Sequence, residues 1–476
     1  MKEVHNLFTL IQILTQFTTV YLLLETSTTN RSFMKKGLSL IILLFQVAIL
    51  LAQDLVQSGP MVGYSTMREA FLWVQTTQSS EVHFEYFNKQ NRKERFKTKK
   101  VRTQADQGFV AQLIADQILP GNTYTYELYI NGKKVKRDYP MEFQSQTLWQ
   151  WRTDPPEVNF VVGSCAFVNE ERFDRSGKPY GSGYEIFETI HEQNPDFMLW
   201  LGDNTYLREA DWNSRTGFLH RYTHTRSLKE LQPLLASTHH YAIWDDHDFG
   251  PNDSDGSFVM KKTATEMFKL FWGNPNYDAI DKGGITGSFE WADLQFFLLD
   301  NRYYRTSNKN FTGKRQMLGK EQIDWLINAL ASSKAPFKFI AIGGQVLSSE
   351  AGHENYATFP EERQYLLNKI REARIEGVIF LDGDRHHTGL SKMQENKYVY
   401  PLYDLTCSPL TSGAYPDKEE ANVFKLKETL FGKHNFGMMN VSGPRTDRVL
   451  KITIHDKTGK EVWTKEIKAR DLRYKR

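Results

Sequence analysis

Cysteine is scarce. The 476-residue chain carries two, Cys165 and Cys407, too few for a disulfide framework or a Cys-rich zinc site. Charge of one sign is lacking too. There are 60 Lys and Arg against 57 Asp and Glu, a net charge of +3, so no basic field points to nucleic acid and no nucleic-acid-binding domain is expected. The chain shows no internal repeat, no low-complexity tract and no Gly-x-Ser-x-Gly nucleophile motif. What is present is ordinary for a globular protein: 40% hydrophobic and 25% charged residues, which excludes a disordered or fibrous chain. The length exceeds what one hydrophobic core serves, so a large domain and a smaller one are expected.

The first 52 residues read as a targeting region. Met34-Lys35-Lys36 is a short basic start, followed by an apolar run from Leu38 to Leu51 and then Ala52-Gln53. This is the layout of a secretory signal peptide, and it makes Met34 the expected true start. The run is short for a transmembrane helix, so no stable anchor is expected. A weaker apolar stretch, Leu7 to Leu24, leaves a two-helix membrane anchor as the rival reading. Without residues 1–52 the chain keeps 56 basic and 55 acidic side chains, net +1. A secreted or periplasmic monomer is the expectation.

Residues 53–150 read as a small all-β domain of immunoglobulin or fibronectin type. Ala70–Gln75, Val82–Phe87 and Tyr124–Ile130 are rich in aromatic and β-branched residues, and Asn131-Gly132 suits a tight hairpin. From residue 151 to the end the pattern changes. Helix-like segments (Tyr184–Glu192, Leu228–Leu235, Gln322–Leu330, Glu361–Ala373) precede apolar runs (Phe197–Leu201, Tyr241–Trp244, Phe337–Ile342, Val378–Leu381), and Val158–Val162 opens the series. Such alternation predicts parallel pairing in an α/β (α+β) fold, a two-sheet sandwich flanked by helices. Val449–Ile454 and Glu461–Ile467 read as a closing β-hairpin.

Polar residues with metal-binding atoms follow the ends of these runs: Cys165 after the first, Gly202-Asp203-Asn204-Thr205-Tyr206, then Asp245-Asp246-His247-Asp248 with Asn252, then Gly383-Asp384-Arg385-His386-His387. Carboxyl ends of strands line the crevice of an open α/β sheet, so four distant segments converge. Each has a plain alternative as a turn, a cap or a core residue, but the conjunction points to a dinuclear metal site. A carboxylate such as Asp203 has two oxygens and can bridge two cations. Thiolate, imidazole and phenolate suit a transition metal, while carboxylate and amide oxygens suit calcium, magnesium or manganese. Two such ions are the usual arrangement for in-line displacement at phosphorus. The loop Arg208–Arg226 carries Trp212, Phe218, His220, Tyr222 and His224, which either contact a leaving group or pack the loop itself.

Together with Leu299-Asp300-Asn301-Arg302-Tyr303-Tyr304-Arg305, these motifs resemble the PhoD-type alkaline phosphatases of the calcineurin-like metallophosphoesterase superfamily, across roughly residues 55–455. The resemblance implies Cys165, Tyr206 and His386 as ligands of Fe3+, Asp203 as the bridging ligand, and Asn252 and Asp384 as Ca2+ ligands. It implies that Asp246 and His247 orient this shell, and that Arg302 and Arg385 clamp the phosphate. The implied activity is hydrolysis of small-molecule or polymeric phosphate monoesters or diesters by in-line attack of a metal-activated hydroxide. Two rival functions remain: a purple-acid-type phosphatase with an iron–zinc pair, and a non-catalytic envelope- or polymer-binding protein working through the β domain.

Overall fold

The computed structural model describes residues 55–352, 354–396, 398–415 and 421–475. The expected signal peptide lies outside the described residues. Among the described residues no helix is long and apolar enough to cross a membrane.

The N-terminal stretch is built from β1 (Val56–Ser65), β2 (Ala70–Thr76), β3 (Glu81–Asn88), β4 (Asn91–Lys97), β5 (Val101–Arg102), β6 (Val110–Ala115), β7 (Thr123–Ile130), β8 (Lys133–Lys134) and β9 (Glu142–Gln144). The hairpin joining β7 to β8 turns at Asn131 and Gly132, both with positive φ, as the Asn-Gly pair predicts. Strands β3, β4, β7 and β8 form one sheet, with β5 and β9 pairing onto β3 and β7. The other three strands join a larger structure.

That structure begins with β10 (Val158–Gly163), β11 (Phe197–Leu201) and β12 (His239–Ile243). These three lie parallel and side by side, as their largely apolar, buried sequences predict. β1 pairs in parallel with β12 at Val62↔His239, so β1, β2 and β6 extend the same sheet. On its far side come β19 (Asn435–Ser442), β20 (Val449–Asp456) and β21 (Glu461–Lys468), the last two being the expected closing hairpin.

A further sheet contains β13 (Gly287–Trp291), β14 (Leu294–Leu298), β15 (Lys338–Ala341), β16 (Val378–Asp382), β17 (Gly389–Met393) and β18 (Leu402–Thr406), with β14, β15, β16 and β18 parallel. The two large sheets pack face to face through aromatic rings. Phe160 on β10 stacks on Phe197 at 4.8 Å and meets Phe296 and Phe339 of the facing sheet edge-on at 5.3 and 5.4 Å. Tyr241 on β12 stacks on Phe289 at 3.7 Å. This layer is the core of the expected two-sheet sandwich.

Helices α1 (Ile186–Glu192), α2 (Arg215–Arg226), α3 (Gln232–Ser237), α4 (Asp246–Phe249), α5 (Lys261–Phe271), α6 (Lys320–Ser332) and α7 (Pro360–Glu372) connect the strands. Helix α5 buries Ala264, Met267, Phe268 and Phe271, one stripe at helical spacing. Helix α2 corrects a loop expectation. Ser214 caps it by accepting from the Gly217 amide, and it runs through most of Arg208–Arg226. Phe218 and Tyr222 face the core and His220 turns outward to Glu170, so these three are not leaving-group contacts.

Candidate metal centre

The chemistry-bearing residues leave the strands by sharp turns. After β10, β11 and β16 the chain enters the left-handed backbone region at Cys165 (φ 61°), Asp203 (φ 51°), Asp384 (φ 65°) and His386 (φ 54°). Few non-glycine residues adopt this region, and it costs roughly 1–2 kcal/mol each. Its use at four candidate ligands is strain held where it aims side chains back over the strand ends. Gly202 is needed beside Asp203: its φ is +94°, and a Cβ would stand 2.8 Å from that of Asp245.

The side chains meet. Asp203 Oδ2 lies 3.6 Å from Cys165 Sγ and accepts a hydrogen bond from Tyr206 Oη at 3.2 Å. Tyr206 Oη is 3.3 Å from His386 Nε2. The other His386 nitrogen, Nδ1, lies 2.5 Å from the Gly413 carbonyl. A proton on Nδ1 leaves the Nε2 lone pair facing the cluster, the arrangement of a metal-binding imidazole. Burial lowers the His386 pKa to about 4, which keeps the ring neutral.

In each of three sets the ligand atoms lie within 4.8 Å of one another: Cys165, Asp203 and His386; Asp203, Asp246 and His247; and Asp246, Asp253 and Glu354. Asp203 links the first set to the second, and Asp246 links the second to the third. Asp384 lines the same cavity, about 470 Å³ in volume, together with Asn252, Asp253, Glu354, Arg385 and His387.

The four residues of Asp245-Asp246-His247-Asp248 divide their labour. Asp246 and His247 face the cavity. Asp245 and Asp248 form a capping box at the start of α4, and Asp248 also accepts from the Thr205 amide at 3.0 Å. Arg302 does not line the cavity. It is 1% exposed, with Nε on Asp245 Oδ1 at 2.6 Å and Nη1 on Glu354 Oε2 at 2.8 Å. Arg385 does line it, with Nη1 3.9 Å from Asp384 Oδ2. Asn252 is exposed at the rim and donates to Asp253 Oδ1 at 2.8 Å. Asp253 and Glu354 escaped the sequence reading. Asp253 had one usable signal, its place beside Asn252; Glu354 sits in a long loop with none.

Electrostatics make the cluster a cation site. Burial, then Asp246 and Asp245, push the Asp203 carboxyl well above the usual range. Burial and the neighbouring carboxylates push Asp384 up as well, and burial followed by Asp203 raises the Cys165 thiol. The buried oxygens Asp246 Oδ1 and Asp384 Oδ2 have no hydrogen-bond partner and only guanidinium nitrogens at 3.9 Å, though against burial His247 and Arg302 hold the Asp246 carboxyl below the usual range. Buried carboxylates that lack hydrogen bonds or face like charge are costly, as Asp384 and Asp203 show. Cations would reverse each of these penalties, so the donor set fits hard and soft metal ions. Both thiols are free, and Cys407 lies apart with Sγ against the Val162 carbonyl at 3.4 Å.

The fold and this strand-end cluster define the class. The solved structure of PhoD superposes with a TM-score of 0.70 at 16% identity, over 87% of this chain and 92% of that one. The purple acid phosphatase PPD1 from yellow lupin (Lupinus luteus) seeds does so with a TM-score of 0.63 at 12% identity, over 87% and 76%. These two-sheet phosphatases share the architecture. The family model for PhoD-like phosphatase matches residues 160–443, and the chain belongs to that family. A domain of unknown function (DUF7800) matches residues 53–148. Alkaline phosphatase D of Bacillus subtilis (strain 168) is 23% identical over 328 residues, 59% of this chain and 53% of that protein. The match thus spans about half the length of this curated relative.

Proposed function

We propose that this protein is an exported metal-dependent phosphoesterase acting on phosphate monoesters, diesters or both. One observation carries the reading: three sets of ligand atoms, linked through Asp203 and Asp246, open into one cavity at the ends of parallel strands. Cys165, Tyr206 and His386 would hold Fe3+, with Asp203 shared. Asn252 and Asp384 would serve Ca2+. When bound, the ions supply Lewis acidity, which acidifies water and neutralises charge on phosphoryl oxygens.

The chain's own residues do the rest. The neutral His386 ring offers Nε2. Arg385 lies at the cavity wall, where a guanidinium neutralises charge on a phosphoryl group. His247, half-buried in the same wall, belongs to the second ligand set and with Asp246 orients the shell around Asp203. Arg302 acts by holding Asp245 and Glu354, so in this reading it positions the site instead of touching phosphate. Residues 53–150 are read as a small β domain of immunoglobulin-like character shaping the approach to a catalytic domain of residues 151–476, with β1, β2 and β6 built into the catalytic sheet; the protein is read as a monomer. The thiolate in the first ligand set favours an iron–calcium pair over the iron–zinc pair of a purple-acid type.

Elemental analysis of purified protein, followed by a screen of phosphate esters, tests this. Iron with calcium and turnover of at least one ester support it. Metal-free protein that takes up neither ion, or no turnover of any ester, overturns it.

A further inference from the structure

The cavity of the metal-competent cluster continues into a second one of about 610 Å³. Tyr180, His247, Asn252 and Tyr415 line both. The two differ in chemistry. Carboxylates and imidazoles dominate the first, whereas the second sets Phe173, Tyr206, Trp212 and Phe167, the last faced by the Arg208 guanidinium at 3.8 Å, beside charged side chains. Ring contacts run between them. Tyr415 stacks on His386 at 5.2 Å, Tyr180 meets Phe167 edge-on at 4.9 Å, and Phe167 leans on Tyr206 at 5.1 Å. Tyr180 and Tyr415 keep 39% and 45% of their surface exposed at the passage.

Four of the five charged Arg, Lys, Asp and Glu side chains along the second cavity are matched, and Lys178 is left over. Arg208 pairs with Asp174 at 2.8 Å and Arg175 with Glu209 at 3.3 Å. A polyanionic chain would find few spare cations there. A flat, uncharged ring would find aromatic walls and a volume typical of a small-molecule pocket. From this we infer that the second cavity is a leaving-group subsite, and that the preferred substrate is a phosphate ester of a planar ring system, a nucleoside or an aryl alcohol. Trp212 and Phe173 grip the ring beyond the Tyr180–Tyr415 passage. The inference rests on the phosphoesterase reading and names its substrate class.

The test compares kcat/KM for adenosine 5′-monophosphate, phenyl phosphate and glycerol 2-phosphate in the purified holoenzyme and in Trp212→Ala, Phe173→Ala and Trp212→Phe. The alanine variants should shift the ratio of ring-bearing to glycerol ester by about three- to tenfold toward glycerol, chiefly through KM, and Trp212→Phe should restore most of it. A shift with the nucleotide alone assigns the subsite to nucleosides, and a shift with both ring esters assigns it to planar rings in general. A wild-type enzyme that turns over glycerol 2-phosphate but neither ring ester overturns the inference alone. So does an equal loss on all three esters, which marks a structural role. A wild-type protein active on no ester fails the underlying reading, and the inference falls with it.

Discussion

Arg302 holds Asp245 through a hydrogen bond of 2.6 Å from Nε to Oδ1, with both side chains 1% exposed. Its other arm reaches Glu354, whose carboxylate belongs to the third ligand set. One guanidinium thus ties the loop after β12 to the Glu354 loop, and burial that would disfavour its charge is overcome by Asp245, Glu354 and Asp246. Arg302→Leu leaves the buried Asp245 without its cation, Glu354 keeping Arg305, and should cost about 3–5 kcal/mol in urea denaturation. Arg302→Lys keeps the charge, loses the fork and should cost less. A raised KM with unchanged stability would instead place Arg302 on the phosphate.

Asp203 sits where a carboxylate is hardest to bear without a cation. Its folded-state pKa is raised, so in metal-free protein near pH 7 the group favours the unfolded chain, where it ionises freely. Asp203→Asn removes that penalty and keeps an oxygen to accept from the His247 amide, 3.3 Å from Oδ1 in the wild type. With chelator present, the variant should melt above the wild type. With metals restored, the order should invert, and phosphatase turnover should fall at least about a thousandfold because both linked ligand sets share this residue. Thermal melts with and without chelator, read beside an ester assay, check both halves.

Much of this centre was legible because buried parallel strands are short apolar runs whose ends are easy to see. Phe197–Leu201 before Gly202-Asp203 needed no tertiary information. Strand β1 was hidden for the opposite reason. Val56-Gln57-Ser58-Gly59-Pro60 carries no strand alternation, and its place is fixed by pairing with β2 and β12, a relation no local window contains. Helix α2 was hidden because its buried side includes Arg221 and Arg226, which read as surface. Arg221 pairs with Asp211 at 2.8 Å and Arg226 donates to the Phe271 carbonyl at 3.0 Å. Glu354 was hidden because an acidic residue in a long loop carries no periodic signal.

The two cysteines should separate cleanly. Cys165 Sγ lies in the first ligand set and accepts from Ser408 Oγ at 3.1 Å. Cys407, whose pKa burial pushes up to about 12, lies outside every set. Cys165→Ala should lower the bound transition metal by about one equivalent per chain, since a thiolate is the softest donor present. Cys407→Ala should leave the metal content unchanged. Elemental analysis of the two variants settles it, and equal losses would remove Cys165 from the ligand shell.

Two adjacent histidines on β12 predict how the fold answers acid. His239 Nε2 accepts from the Gln144 amide at 3.1 Å and its Nδ1 lies 2.7 Å from the Gly63 carbonyl. His240 Nδ1 accepts from Trp200 Nε1 at 2.9 Å while its Nε2 faces the Leu234 carbonyl at 3.2 Å. Each ring has a donor against one nitrogen and a carbonyl against the other, so each is satisfied only when neutral; a second proton would be set against an N–H. Burial accordingly lowers His239 to about 4 and His240 to about 3. The unfolded chain titrates near 6.5. Between these values it binds more protons than the folded protein, so stability is complete above about pH 6.5 and declines as pH falls toward 4. Each ring contributes a slope of up to about 1.4 kcal/mol per pH unit. His239→Gln offers the same donor and acceptor without the titration. Urea unfolding at pH 7, 5.5 and 4.5 should show a shallower acid decline in the variant, by about one proton's worth. Parallel declines would mean that His239 already carries its second proton in the fold.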